Sequence, residues 1–413
     1  MEQTKVCIIG AGPAGLMASI HCAAANTETV MFESNTTAGR KLLLTGGGRC
    51  NLTHLASPDE IVRSFGPKGR FLSYCLHKFT PEQVCRFFRE LGLESIVEPN
   101  GCVFPATDHT SDVRDCLIKH AKNLGVRFFF DKSVKSIMRE GNSFAIHSAG
   151  EILSAKKVII ATGGLSYPQT GSTGDGYRFA QELGHTIVET KASLVPLITG
   201  ERWAGELAGT AVENVKISAR IDNKKITAAG ALVFTDDGIG GLAAWDISRH
   251  LTDHLPAVGK PIGIALDLVP QFAETELETQ ITALIAENPK KKIVNILAGF
   301  VPKRLAEVLC KLAGCDGEIE ANQLKKDMRK KLISNLKALP LSIINTRPIA
   351  EATVTRGGVS IAEIEPKTME SKICPGLFFA GEVIDADGPC GGYSLQLCWS
   401  TGALAGSSAA CKF

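Results

Sequence analysis

The chain has 413 residues, 44% of them hydrophobic, with 45 basic and 43 acidic side chains and a formal net charge of +2. That length predicts two or three domains with sizeable cores, and the near-neutral balance neither demands nor excludes nucleic acid or an anionic membrane surface. No run approaches the roughly 18 consecutive apolar residues of a membrane span, and the apolar N-terminus lacks the basic leader of a signal peptide. The cysteines, 13 in all, are odd in number and mostly sit inside apolar patterns, as at Cys7, Cys22, Cys85 and Cys116. They read as reduced, small hydrophobes, which points to a cytoplasmic protein.

Residues 5–33 set the first expectation. Val6 to Ile9 is a short apolar strand, Gly10, Gly12 and Gly15 form a G-x-G-x-x-G turn, a small-residue helix follows, and strand Thr29 to Phe32 ends in Glu33. Gly10 suits the tight turn, Gly12 lets backbone approach a pyrophosphate, and Gly15 lets helix and strand pack closely. The helix start faces the phosphates and the acid takes ribose hydroxyls, so this stretch is a dinucleotide site. After it comes an unusual loop, Gly39-Arg-Lys-Leu-Leu-Leu-Thr-Gly-Gly-Gly-Arg-Cys-Asn51.

Residues 80–92 carry a helix signature: Thr80 and Gln83 as a capping box around Pro81, then Gly92 as the stop. A helix is expected over 112–123 and a strand over 126–130. Short strands near Val134, Phe144 and Ile152 form a meander, and a separate buried strand spans Val158 to Ala161. Thr162-Gly163-Gly164 and Gly171-Ser-Thr-Gly-Asp-Gly176 then lead into a helix reaching Leu183. Residues 194–269 alternate short β-type runs with turns. Residues 274–336 are helical and charged, with one apolar face at Leu324, Met328, Leu332 and Leu336. The strand texture returns after Pro340, and a small-residue helix closes the chain over 395–410.

The C-terminal stretch Gly376-Leu-Phe-Phe-Ala-Gly-Glu382 runs from a strand into an acid, and Gly388-Pro-Cys-Gly-Gly-Tyr393 then opens the last helix. An acid in that place can bond ribityl hydroxyls, and N–H groups at a helix start can stabilise reduced flavin. Paired with the N-terminal unit, this moves the expected cofactor from NAD or FAD to FAD.

With these residues in view, the chain resembles the BaiN/RdsA family of NAD(P)/FAD-dependent oxidoreductases. Four blocks carry the resemblance: Gly39 to Asn51; Ala161-Thr-Gly-Gly-Leu-Ser-Tyr-Pro168 with Gly171 to Gly176; Leu194-Val-Pro-Leu197; and Gly381 to Tyr393 through Trp399. The resemblance implies an α/β, Rossmann-like FAD-binding domain formed by both chain ends, with an inserted β-barrel-like domain and a helical domain. The boundaries drawn are 1–190 and 341–413 for the FAD-binding domain, 191–272 and 337–350 for the β-rich one, and 273–336 for the helical one. Implied cofactor contacts are Gly10, Gly12, Pro13, Ala14, Gly15, Glu33, Arg40, Lys41, Gly381, Glu382, Gly392, Tyr393, Ser394 and Leu395. Ser34, Gly48, Arg49, Cys50, Val134, Thr162, Gly163 and Gly391 complete the candidate set. The chain departs from the family where Phe234-Thr-Asp-Asp-Gly-Ile-Gly-Gly-Leu242 replaces a Phe-Thr-His and Ser-Gly-Pro pattern. Cys390, Ser394 and Cys102 also stand where the family has Thr, Asn and a basic residue.

Candidate catalytic groups are Cys50, Tyr393, Asp387 and Cys390. Cys50 follows backbone dipoles and Arg49 that could lower its pKa, or it is simply a small buried residue beside the flavin. Tyr393 or Asp387 could protonate a substrate. Cys310 and Cys315 have redox-pair spacing but lie in the helical segment. His54, His109 and His185 read as structural or surface residues, and no cluster has metal-ligand spacing.

The expected reaction is reduction of a C=C bond, with NADH or NADPH as a transient donor because no second G-x-G-x-x-G occurs. The substrate is left open between a bile-acid-type enone, uridine in ribosomal RNA and an amine oxidised by oxygen, with a non-catalytic flavin protein as a further class. Lys325, Lys326, Arg329, Lys330 and Lys331 form a basic face, either solvated or an RNA-backbone footprint. The oligomeric state is not legible.

Overall fold

A computed structural model describes residues 2–148, 150–255 and 260–411. The chain divides into two compact units: Met1–Lys191 with Thr353–Phe413, and Ala192–Ala352.

The first unit is built on a seven-stranded sheet in the order Arg127–Phe129, Thr29–Phe32, Glu2–Ile9, Glu151–Ile160, Ser143–Ser148, Val134–Glu140, with Leu377–Phe379 also pairing with Glu151–Ile160. The opening strand runs parallel to Thr29–Phe32, with Val6 opposite Thr29 and Ile9 opposite Phe32. Val6, Cys7, Ile8 and Ile9 are all buried, as a strand covered on both faces requires. The parallel connection is made by helix Pro13–Ala24, which starts with proline at its first turn after Gly12.

The expected strands at Ile152 and Val158 are a single strand, Glu151–Ile160. Its first half pairs antiparallel with Ser143–Ser148, and its second half runs parallel to Leu377–Phe379. The change of neighbour falls at Lys156-Lys157, the polar interruption that makes one element look like two.

The capping box predicted for the helix at 80–92 is present on Pro81–Glu90: Thr80 N–H donates to Gln83 Oε1 (2.7 Å), and Gln83 N–H donates to Thr80 Oγ1 (3.3 Å). The last helix, Tyr393–Ala410, lies against Pro13–Ala24 through small residues. A Cβ on Gly402 would lie 2.5 Å from Ala14 O, and one on Gly406 would lie 2.3 Å from Ala18 O. Cys22 Sγ donates to Gly406 O at 3.2 Å across the same seam.

The second unit holds a closed barrel of six strands, Leu197–Thr199, Gly238–Gly240, Lys224–Thr235, Ala211–Ile221, Ile262–Asp267 and Leu339–Thr346, all antiparallel to their neighbours. Helix Leu242–Leu251, inside the stretch expected to be strands and turns, is an addition. Its Leu-Ala-Ala-Trp start is too short an apolar run to tell from a buried strand. Helices Glu274–Glu287, Ile293–Leu297, Lys303–Ala313 and Lys326–Ala338 share one hydrophobic core with the barrel; Leu277, Leu305, Leu332 and Leu336 are buried in it beside Ile217 and Leu266.

Candidate functional site

The glycines of the first turn are needed for different reasons. Gly10 has φ +100°, and a Cβ there would lie 2.7 Å from Ala161 O; one on Gly15 would meet Gly10 O at 1.9 Å. Gly12 has no neighbouring atom within 4 Å of its missing Cβ. Its side chain is absent not for packing but to leave open space at a helix N-terminus, where N–H groups and the helix dipole favour an anion. Glu33, 8% exposed, closes the turn. Its Oε2 accepts Ala11 N–H at 2.9 Å, and its Oε1 accepts Asn35 N–H at 2.9 Å and Asn35 Nδ2 at 2.6 Å.

At the other end of the same cleft, Lys41 Nζ donates to Glu382 Oε2 at 2.7 Å and to Ser166 Oγ at 2.5 Å. Glu382 Oε1 accepts Thr355 N–H at 2.7 Å and Ser166 Oγ at 3.0 Å. Three sequence blocks are thus tied together by one carboxylate. With Lys41 at 21% and Glu382 at 15% side-chain exposure, the charges are partly shielded from water and hold one another firmly.

The cleft occupies about 1330 Å³, counted to its open mouth. Of the expected cofactor contacts, Gly10, Gly12, Pro13, Ala14, Glu33, Ser34, Arg40, Lys41, Val134, Thr162, Gly163, Glu382, Ser394 and Leu395 line it. Gly15, Gly48, Arg49, Cys50, Gly381, Gly391, Gly392 and Tyr393 are not on its wall; a Cβ on Gly381 would lie 2.6 Å from Ala14 Cβ. Sequence reading missed Asn35, Ser133, Ser172, Phe179, Ala386 and Cys398, which do line it. Asn35 had a signal, being an amide two residues past the acid. Cys398 looked like one more small residue in a helix.

At the Gly39 to Asn51 loop, the geometry favours the reading of Cys50 as a small buried residue over the activated thiol. Arg49 does not activate Cys50: its guanidinium bonds Asp108 (2.8 Å) and Glu98 (2.9 Å) and lies 4.0 Å over the Phe104 ring. Cys50 is fully buried and its thiol is pushed up to about 12 by burial, so it is held as the thiol. Cys310 is likewise buried, with its thiol raised to about 12, first by burial. Both Cys310 and Cys315 are free thiols.

His54, expected to be structural or on the surface, is drawn to the last-helix turn. It stacks on Tyr393 at 4.9 Å and 20°, and its Nδ1 lies 3.2 Å from Gly391 O. Gly392 presses onto the backbone of Thr53, and Cys102 Sγ lies beside Gly391. Cys390 is half-buried. Asp387 is buried, with Arg356 Nε 4.0 Å from its Oδ1. Of the basic face, Lys325, Lys326, Lys330 and Lys331 are exposed and Arg329 is half-buried. Among the described residues, no helix is long and apolar enough to cross a membrane, and no group of three or more His, Cys, Asp or Glu side chains could hold a metal.

The HI0933-like protein Rossmann domain matches residues 4–408. The chain belongs to that family. A 3-dehydro-bile acid delta(4,6)-reductase of Clostridium scindens is 30% identical over 411 residues, 99% of each chain. A ribosomal RNA dihydrouridine synthase of Escherichia coli is 32% identical over 404 residues, 97% of this chain and 96% of the relative.

Among solved structures, an open flavocytochrome c3 fumarate reductase matches with a TM-score of 0.54 at 18% identity, over 99% of this chain and 78% of that one. A 3-ketosteroid-delta4-(5alpha)-dehydrogenase of Rhodococcus jostii matches with a TM-score of 0.53 at 16% identity, over 100% and 97%. At those identities the likeness speaks for the fold, a Rossmann-type FAD-binding one.

The family resemblance read from the sequence therefore holds, and the protein is an FAD-dependent oxidoreductase. The cleft fits the group: open space at Gly12 before an uncapped helix start, an acid at the end of the second strand, and the start of the last helix at the far end.

Proposed function

We propose that this flavoprotein reduces a C=C bond conjugated to a carbonyl, with NADH or NADPH restoring the electrons. The observation that carries the reading is the convergence on one cleft of the glycine turn, the Lys41–Glu382 strut and the start of the last helix. Two relatives matched over nearly all of their length, one named a 3-dehydro-bile acid delta(4,6)-reductase and one a ribosomal RNA dihydrouridine synthase, support it.

In this reading, residues Gly10 to Gly15 and Glu33 hold the adenosine end. Lys41 and Glu382 fix the middle, and Ser394 and Leu395 meet the ring end. Bound FAD supplies the hydride chemistry. The chain's own work is to orient the ring, exclude water and place a proton donor, with Tyr393, Asp387 and Cys390 as candidates. In this reading Cys50 is left out of that set, because it is fully buried and not on the cleft's wall.

Purified holoenzyme should lose its flavin absorbance when NADH or NADPH is added under argon and regain it when an enone is added. Flavin that stays oxidised with both nicotinamides, while amines yield peroxide, would sink the reading.

Uridine in ribosomal RNA is the second substrate reading. It is favoured by the second relative's name and by the exposed Lys325, Lys326, Lys330 and Lys331. Reversing Lys325, Lys326 and Lys330 to glutamate should weaken RNA binding and flatten its salt dependence. Unchanged RNA affinity would reduce that face to a solvated helix surface.

A further inference from the structure

The two longest strands of the barrel, Ala211–Ile221 and Lys224–Thr235, form a hairpin closed by Asp222 and Asn223, both at positive φ. That is the backbone of a two-residue turn whose hand matches the twist of the strands. Register then fixes which side chains share a face. Ile217, Ala219 and Ile221 belong to the core that the barrel shares with its helices. The alternate residues Lys216, Ser218 and Arg220 therefore stand on the outer face, opposite Ala229, Thr227 and Lys225 in that order.

The charges on this face are unusual. Lys216, Arg220 and Lys225 are all exposed. Arg220 and Lys225 are like charges directly across the ladder, with Cβ atoms about 5 Å apart, an arrangement that costs stability. On its other side Lys216 is in register with Asp267, but that carboxylate is held by Lys337, Nζ 2.7 Å from Oδ2. Glu213 falls in the bulge between Val212 and Val215, and Asp222 in the turn, so neither stands opposite a cation. Among the described residues none of the three cations has an ion-pair partner.

Between the cations stand only small side chains, Ser218 opposite Thr227 and Ala229 opposite Lys216. Lys216 and Arg220 are about 13 Å apart by the rise of a strand. A small anion would need only one end of such a row. An extended polyanion uses all of it, with successive phosphates meeting cations and the hydroxyls between them. The same unit carries a second basic element: helix Lys326–Ala338 packs against strand Ile262–Asp267, which is the neighbour of Ala211–Ile221 in the barrel.

We propose that the outer face of this hairpin is a phosphate-binding surface for RNA. Lys216, Arg220 and Lys225 meet the backbone, and Ser218 and Thr227 bond phosphate or 2′-hydroxyl oxygens. The inference rests on the ribosomal RNA reading above and names a part of the chain that holds that substrate. The RNA supplies the counter-charge that Arg220 and Lys225 lack in the free protein. Backbone contacts carry no sequence information, so this face positions the strand and leaves the choice of uridine to the flavin site.

Flavin-loaded protein titrated with a fluorescein-labelled, uridine-containing ribosomal RNA hairpin at several salt concentrations reports the number of contacts. Each phosphate contact releases counterions, so the slope of log affinity against log salt counts them. Arg220→Gln combined with Lys225→Gln should weaken binding and lower that slope by about 2. Its flavin content should stay full and its urea midpoint should hold or rise, because the like-charge contact is gone. The swap Arg220→Lys with Lys225→Arg keeps both charges and should keep the slope. Ser218→Ala with Thr227→Ala should weaken binding at an unchanged slope, since neutral hydrogen bonds release no counterion.

Unchanged affinity and slope in the double glutamine variant overturns the inference, as does a wild type that binds no RNA or a charge swap that loses the slope. RNA binding that depends on Lys325, Lys326 and Lys330 but not on the hairpin fells the inference alone. Hairpin-dependent RNA binding with no dihydrouridine formed in that RNA fells the substrate reading alone. Phosphatidylserine vesicles that release the double glutamine variant while RNA retains it assign the face to a lipid surface and also overturn the inference.

Discussion

At the scale of single residues, burial decides more than spacing does. Cys50 follows a glycine run and an arginine, which left an activated thiol and a small buried residue both open. The arginine has gone to Asp108 and Glu98, and the thiol is sealed in. Alkylation of the native protein with iodoacetamide should therefore label exposed Cys411 readily and leave Cys50 unmodified. Rapid labelling of Cys50, read by peptide mass spectrometry, would contradict this. Lys41 is the opposite case, a surface-type residue made structural by its partners. Lys41→Met leaves Glu382 at 15% exposure without its cation. It should cost roughly 1–3 kcal/mol in a urea titration and release flavin more readily. The sequence showed Lys41 and Glu382 as separate members of two motifs. That they bond each other is a distance across most of the chain, which no local pattern carries.

Among elements, regularity made the fold legible and exceptions hid in changes of neighbour. The glycine turn, the capping box on Pro81–Glu90 and the apolar face of Lys326–Ala338 follow from local chemistry, and each is visible in a few residues. Strand Glu151–Ile160 was divided because its partners change midway. Helix Leu242–Leu251 was lost among strands because apolar residues without a clear period fit either state. That Val354 stands on the cleft wall was invisible in the sequence, because only three-dimensional placement shows it. The seam between Pro13–Ala24 and Tyr393–Ala410 gives a test at this scale. Gly406→Val forces a branched side chain into a site where even a Cβ would lie 2.3 Å from Ala18 O. A loss of about 1–3 kcal/mol or more is expected, with weaker flavin retention, because the cleft is lined by the starts of both helices. A thermal melt unchanged from wild type would show that the seam is looser than its geometry.

Over the whole molecule, a buried histidine, His185, and a half-buried one, His21, bear on stability in acid. His185 has no exposed side-chain surface, lies 2.7 Å from Ser371 Oγ and 3.2 Å from Glu363 Oε2, and packs edge-on against Phe379. Burial lowers its pKa despite Glu363, and burial takes His21 down to about 4. Both groups are neutral in the fold and would be protonated in the unfolded chain below about 6.5. Their contribution is complete above that pH and is lost as the pH falls towards 4. The urea midpoint should hold between pH 8 and 7 and then drop across that window. His185→Gln and His21→Gln should each flatten the drop, and a midpoint that rises on acidification would contradict the assignment. At this scale the fold class and the cofactor were readable from the two chain ends. The single core shared by the barrel and its helices was not, because the change from strand to helix near Glu274 reads as a boundary when only composition is available.

The seam between the two small-residue helices also bears on how the protein is made. Cys22 Sγ and Gly406 O, 3.2 Å apart in the fold, are separated by 384 positions in the chain. At about 5–20 residues per second, tens of seconds of translation pass between the first helix leaving the ribosome and the arrival of the partner that completes its surface. Through that interval the face of Pro13–Ala24 at Ala14 and Ala18 has no native cover from the last helix. The cleft that Gly12 and Glu33 begin is complete only once Glu382, Ser394 and Leu395 have been made, so flavin capture waits for that segment.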